Sequence, residues 1–269
     1  MSDPFLFDEN DASIDEASLR LRDKLLETGY REDGDSNHEA GHRPMKRVLK
    51  WLFLVCFGIF ASSHIYAIIL RWAPPPATII MADRALAGED VRRAWVPLEE
   101  MSPHLVIAVI ASEDQRFCDH SGVDTEAIRK AYQEYKDGEG LRGGSTITQQ
   151  TAKNVFLWNG GGIVRKLPEA WMAYMIDAVW GKRRVMEVYL NVAEWGDGLF
   201  GAEAAARVRF GKHAKDLTAY EAALLATVLP SPNKWRVDPP GPYVQQRTQR
   251  TLRQMNNVQR DGLAACVLK

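Results

Sequence analysis

After Lys50 come twenty consecutive residues without a formal charge, 51–70, in the run VLKWLFLVCFGIFASSHIYAIIL that spans residues 48–70. At about 1.5 Å of rise per residue a helix of that length covers roughly 30 Å, the thickness of a bilayer's hydrocarbon core. Ser62, Ser63 and His64 are its clearly polar members, and no amphipathic face emerges to suit a helix buried in a soluble core. A cleaved signal peptide fits poorly. Residues 1–44 are polar and precede the run, and no small-x-small cleavage site follows before Arg71 and Trp72. The segment 48–70 is therefore expected to be a retained transmembrane helix.

Flanking charge sets its orientation. Arg43, Lys46, Arg47 and Lys50 crowd the N-terminal edge while Arg71 stands alone beyond the other, which predicts a cytoplasmic N-terminus and an exported main domain. The formal net charge of -1 hides an uneven distribution: residues 1–44 carry 12 acidic and 5 basic side chains, and the rest of the chain is net basic. The balance gives no case for nucleic acid as a partner. Three cysteines are too few for a disulfide framework. Cys56 lies in the apolar run, and a Cys118–Cys266 bridge is open in an oxidising compartment, although the spacing favours unpaired thiols.

Four stretches result: an acidic, disordered cytoplasmic tail at 1–44, with one conceivable amphipathic helix over about 14–26; the span at 48–70; a juxtamembrane linker at 71–89, stiffened by Pro74, Pro75 and Pro76; and one domain at 90–262. That domain reads as mainly α. Ser102 before Pro103 opens a helix whose apolar run 105–110 leads to Glu113. Thr146 and Gln149 have capping-box spacing, as do Thr218 and Glu221. Pro168 is expected to open another helix, with Glu169 in its first turn and Gly181 ending it. At most a small hairpin is expected beside the helices.

The chemistry concentrates in three places. In ASEDQRFCDHSGVD, residues 111–124, Glu113 and Asp114 follow directly on an apolar helix beside Arg116, Phe117 and His120. A carboxylate there is desolvated toward a working general base. A solvated charged loop is the plainer reading. In GGSTITQQTAKN, residues 143–154, paired glycines precede a helix start at Ser145 and Thr146, a place where anions bind, with Gln150 and Lys153 further on. The third place, RKLPE, supplies Arg165, Lys166 and Glu169. No metal-ligand spacing is recognisable.

EDQRFxxHxGxD, GGSTITQQTAKN, RKxxE, VYLNVAEWGDGxFGxEAAA and ALLATVLPSPNKW occur in one order. In this series the chain resembles the family-51 glycosyltransferases, the peptidoglycan polymerases, over about residues 90–240, and within them the single-anchor members of Gram-negative bacteria. In two-domain relatives a penicillin-binding transpeptidase follows; here roughly 20 to 30 residues follow, and Ser231-Pro-Asn-Lys234 is read as a loop.

The resemblance implies a lysozyme-like helical domain that joins lipid II and nascent lipid-linked glycan with inversion, releasing undecaprenyl diphosphate. Glu113 would be the base on the acceptor's 4-hydroxyl and Glu169 the second carboxylate. Lys153, Arg165 and Lys166 would neutralise the leaving diphosphate, helped by amide groups near Ser145 and Thr146. Asp114, Arg116, Phe117, His120 and Gln150 would line the cleft, with Tyr189, Asn191, Glu194 and Phe210 as packing and cleft wall. Many relatives carry an arginine where this chain has Asn159-Gly160-Gly161-Gly162. No organic cofactor is implied; a divalent cation, Mg or Mn, is left open. Division or elongation proteins are further expected partners. An apolar patch beside the cleft, from residues 77–98 or from Trp158, would seat the enzyme on the bilayer. Two rival readings are a lysozyme-like enzyme that cleaves peptidoglycan and a non-enzymatic membrane scaffold of the wall machinery.

Overall fold

The computed structural model describes residues 18–24, 42–138 and 144–269. Of the acidic tail, residues 18–24 are helical and exposed, 42–44 belong to a helix, and 1–17 and 25–41 lie outside the described residues. The chain divides into two compact units, one ending at Ile59 and one running from Phe60 to Lys269. Helix α1, His42–Leu70, begins in the first. Within its stretch Met45–Leu70, an 18-residue window has a mean hydropathy of 2.1 and is almost wholly unburied, so by length and composition it fits a bilayer crossing.

The second unit is helical. After α1 come α2 (Ile79–Leu86), α3 (Pro103–Glu113), α4 (Thr125–Lys136), α5 (Ile147–Phe156), α6 (Gly162–Val192), α7 (Ala202–Phe210), α8 (Ala219–Val228), α9 (Pro242–Arg260) and α10 (Ala265–Leu268). The stretch 71–89 contains α2, opened by Thr78, whose hydroxyl accepts the Met81 amide at 3.2 Å. The sheet is small. Strands β1 (Arg92–Arg93), β2 (Glu194–Gly196) and β3 (Leu199–Phe200) lie in the order β1-β3-β2, with β1 parallel and β2 antiparallel to β3. The expected hairpin thus gains a third strand.

Helix α3 is the centre. Leu105 through Ala111 are all buried, which requires neighbours on every side of the helix, and α8 and α9 supply two of them. Ser102 sits at its N-cap position, yet its hydroxyl donates to the Leu217 carbonyl at 2.8 Å instead of capping. Both capping boxes form as expected, at Thr146–Gln149 and Thr218–Glu221.

Two expectations are corrected. Helix α6 starts at Gly162, not Pro168, so Glu169 stands beyond the first turn. Pro168 thus lies inside the helix, where it brings no amide donor for the Val164 carbonyl one turn back. Gly181 does interrupt α6, with a left-handed φ of 70°, but a second helical limb follows at once. Cys118 and Cys266 are joined, with Cα atoms 5.7 Å apart, because α9 and α10 return the C-terminal segment to the loop after α3. Spacing along the chain carried no sign of that return.

Candidate active site

Glu113 is the last residue of α3, so the buried helix delivers its carboxylate to the domain's interior edge. Gln150 Nε2 donates to Glu113 Oε2 at 2.9 Å, while Oε1 is shut from bulk water and has no hydrogen-bond partner among the described residues. Burial pushes the Glu113 carboxyl above the ordinary carboxylate range, with Asp114 adding to the rise and Gln150 and Arg247 opposing it. A recess of about 400 Å³ opens beside it, lined among others by Asp114, Arg116, Ser145, Thr146 and Gln254.

The neighbouring loop is fixed by Asp114. Its Oδ2 accepts the Ile147 amide at 3.0 Å and faces His120 Nε2 at 3.0 Å, tying the loop after α3 to the start of α5. Gly122 completes the joint, its carbonyl accepting the Thr146 hydroxyl at 2.6 Å. Phe117 is fully buried, with the Lys182 ammonium 4.7 Å from its ring centroid. Arg116 turns to Glu126 at 2.5 Å and Asp124 at 3.5 Å, so much of its charge is already matched.

The amide groups at the start of α5 are also engaged, against expectation. Thr146 N–H donates to Gln149 Oε1 and Ile147 N–H to Asp114. The capping box and the Asp114 tie thus take the Thr146, Ile147 and Gln149 amides. The cations remain. Lys166 Nζ reaches Ser145 Oγ at 2.7 Å and Glu169 Oε1 at 2.5 Å, and Arg165 pairs with Glu169 Oε2. Arg165 Nε donates to the Gly160 carbonyl at 2.8 Å, so the glycine loop anchors Arg165.

Lys153 lines a second recess of about 320 Å³ together with Arg84, Gln150, Asn154, Tyr189 and Lys234. Burial, and then the charges of Arg165 and Lys166, push its ammonium below the ordinary lysine value, while Glu169 and Glu194 work the other way. The lysine therefore shares one field with the RKxxE trio. Gln150 belongs to both places. It lines the Lys153 recess, holds Glu113, and accepts the buried Tyr189 hydroxyl on Oε1 at 3.2 Å. Burial, Glu113 and Asp114 together raise that phenol well above its ordinary range.

The later motifs serve mainly as wall and frame. Asn191 is fully buried and pins the segment before α3, accepting the Val96 amide at 3.0 Å and donating to its carbonyl at 2.9 Å. Phe210, the last residue of α7, packs partly buried against the core. Glu194 lines the Lys153 recess. Arg84, Lys234, Arg247 and Gln254 were missed by sequence reasoning. Lys234 sits in the SPNKW stretch that was quoted, while the other three lie in no quoted motif.

Neither acidic grouping suits a resident cation. Both oxygens of Glu169 are taken by Arg165 and Lys166. Glu89, Glu194 and Asp197 cluster, but Arg84 already donates to Glu89 at 2.8 Å and to Glu194 at 3.2 Å.

The family model described as Transglycosylase matches residues 81–256. The chain is 48% identical over 226 residues to a biosynthetic peptidoglycan transglycosylase of Caulobacter vibrioides, covering 84% of this chain and 99% of that protein. It is 50% identical over 223 residues to one of Rhodospirillum centenum, with 82% and 96% covered. To one of Pseudomonas aeruginosa it is 45% identical over 217 residues, with 78% and 94% covered.

Proposed function

The chain belongs to the transglycosylase family, and from that membership we propose that it is the polymerase of peptidoglycan glycan strands, joining lipid-diphosphate-linked sugars. Glu113 Oε1 takes the proton of the acceptor's 4-hydroxyl as that oxygen attacks the anomeric carbon of the donor. The bond from that carbon to the diphosphate breaks, its electron pair leaves with undecaprenyl diphosphate, and the configuration inverts. Lys153 meets the developing negative charge, with Arg165 and Lys166 behind it. Glu169 holds those two side chains in place, and no step passes through a metal.

The single observation that carries this reading is the pair of hydrogen bonds that Gln150 makes, one to Glu113 and one from Tyr189, which links the recess of the buried carboxylate to the recess of the buried ammonium. A wall-cleaving enzyme acting on neutral glycan has no use for the cationic half. A scaffold has no use for a desolvated carboxylate with one oxygen unpartnered.

The bilayer enters as the home of the substrate's lipid. Ile163, Val164, Leu167 and Trp171 on the outer limb of α6 are 85, 75, 77 and 52% exposed, a stripe at helical spacing. Trp171 meets the end of the apolar helix, its Nε1 lying 3.2 Å from His64 Nε2. Of the patch expected from residues 77–98, Ile79 and Leu86 are exposed while Ile80, Met81 and Leu98 are buried; Trp158 is exposed. Membrane seating through the α6 stripe, on the outer face of a bacterial inner membrane, follows from the charge bias around α1.

The test is direct. Purified full-length protein given labelled lipid-linked disaccharide-pentapeptide should make a muramidase-sensitive polymer, and Glu113→Gln should not. Polymer made at the wild-type rate by that variant would overturn the assignment.

A further inference from the structure

The recess beside Glu113 measures about 400 Å³, room for one drug-sized group, so an acceptor sugar that fills it must leave its stem peptide outside. The charges at the rim decide where that peptide can go. Arg116 is one cation there, but Glu126 at 2.5 Å and Asp124 at 3.5 Å already match it. Helix α9 contributes Gln254 to the same lining. Arg250 lies four residues before Gln254, which makes the two side chains neighbours on one helix face, about 6 Å apart at Cβ. Arg247 follows on the same flank, one turn further back, with its guanidinium carbon 5.6 Å from the Trp235 ring centroid.

The sequence of α9 leaves these charges unmatched. It holds four arginines and no acid, and while Arg260 pairs with Asp261, none of Arg247, Arg250 and Arg253 has an ion-pair partner among the described residues. After Tyr243 every exposed residue of α9 is polar, so this face has nothing to bury in a bilayer, unlike the apolar stripe of α6. Guanidinium groups in a row that starts at the rim of a saccharide recess are complementary to a flexible chain bearing carboxylates.

We infer that Arg250, with Arg247 behind it, binds the peptide carboxylates of the acceptor, so that the stem peptide lies along α9 while its sugar enters the Glu113 recess. Arg250 is then a specificity-determining contact, and it takes no part in the bond that forms. The inference rests on the polymerase reading and deepens it, by naming what this enzyme recognises in the acceptor besides the sugar.

The experiment gives purified full-length protein two lipid-linked disaccharide-pentapeptides, one with free peptide carboxylates and one synthesised with those carboxylates as amides. KM and kcat are read for the wild type, Arg250→Gln, Arg250→Lys and Arg253→Gln. On the free-acid substrate Arg250→Gln should raise KM about 3-fold to 10-fold with kcat kept, the scale of one charge-assisted contact at an exposed position. On the amidated substrate that variant should match the wild type, whose own KM rises on amidation to a similar extent. Arg250→Lys should recover most of the loss. Arg253 is exposed and stands about 100° around the helix from Gln254, so Arg253→Gln should behave as the wild type.

An unchanged KM in Arg250→Gln, an equal rise on both substrates, or the same rise in Arg253→Gln would overturn the inference. So would a loss of sedimentation with anionic phospholipid vesicles in Arg250→Gln, which would give this face to lipid headgroups. A wild type that polymerises neither substrate would sink the proposed function instead.

Discussion

Gln150 holds Glu113 by one oxygen only, its Nε2 lying 2.9 Å from Oε2, and that asymmetry divides the work within the carboxylate. Oε2 is oriented by the amide, and Oε1 is left without a hydrogen-bond partner among the described residues. The amide itself is kept from turning because its own oxygen receives the Tyr189 hydroxyl.

Glu113→Gln should raise thermal stability while abolishing turnover. Burial lifts the folded carboxyl above its ordinary value, so the fold favours the protonated form. That contribution is complete below the ordinary value and is lost as pH rises through the raised one. Glutamine never ionises. At neutral pH the variant should melt above the wild type by calorimetry, the gap closing as pH falls through the ordinary carboxylate range, while the polymerisation rate drops about 10²-fold to 10⁴-fold.

The rate of the wild type should fall on both sides of a narrowed optimum. Protonating Glu113 removes the base as pH drops, and discharging Lys153, whose ammonium is lowered by burial and by Arg165 and Lys166, removes the cation as pH rises. Lys153→Arg should carry the alkaline limb to higher pH and leave the acid limb where it is. Lys153→Met should lower kcat by roughly 10²-fold to 10³-fold at every pH without unfolding the chain. Steady-state rates across pH check all three.

Gly122→Ala should destabilise the domain by roughly 2–4 kcal/mol in urea titrations, from the left-handed backbone and from overpacking together. Gly122 has φ +79°, and a Cβ there would stand 2.6 Å from the Ala173 carbonyl oxygen of α6.

Cys266→Ser should lower stability by about 2–5 kcal/mol, because the bridge closes a sequence separation of 148 residues. The denaturation midpoint of the wild type under reductant should approach that of the variant.

Much of this was legible before any coordinates. The apolar run, the two capping boxes and the placement of Glu113 at the end of α3 are local properties, written in residues a few positions apart. Arg247 and Gln254 were illegible because an amphipathic helix states which side is buried but not against what. The use of Thr146 and Ile147 amides by Gln149 and Asp114 was half visible, since the capping box announces one acceptor and tertiary structure brings the other. The start of α6 was misjudged because Pro168 is a strong punctuation mark and Gly162 a weak one.

The missing side chain at Gly122 has a further consequence. Three segments converge on that one α-carbon: the loop after α3, the threonine that opens α5, and the backbone of α6 one turn beyond Glu169. A lineage of variants is free to rewrite the surfaces of those segments independently, yet has no single-residue route through this crossing. The spacing between the proton acceptor and the cation pair is thereby inherited as one indivisible trait, guarded by a hydrogen atom.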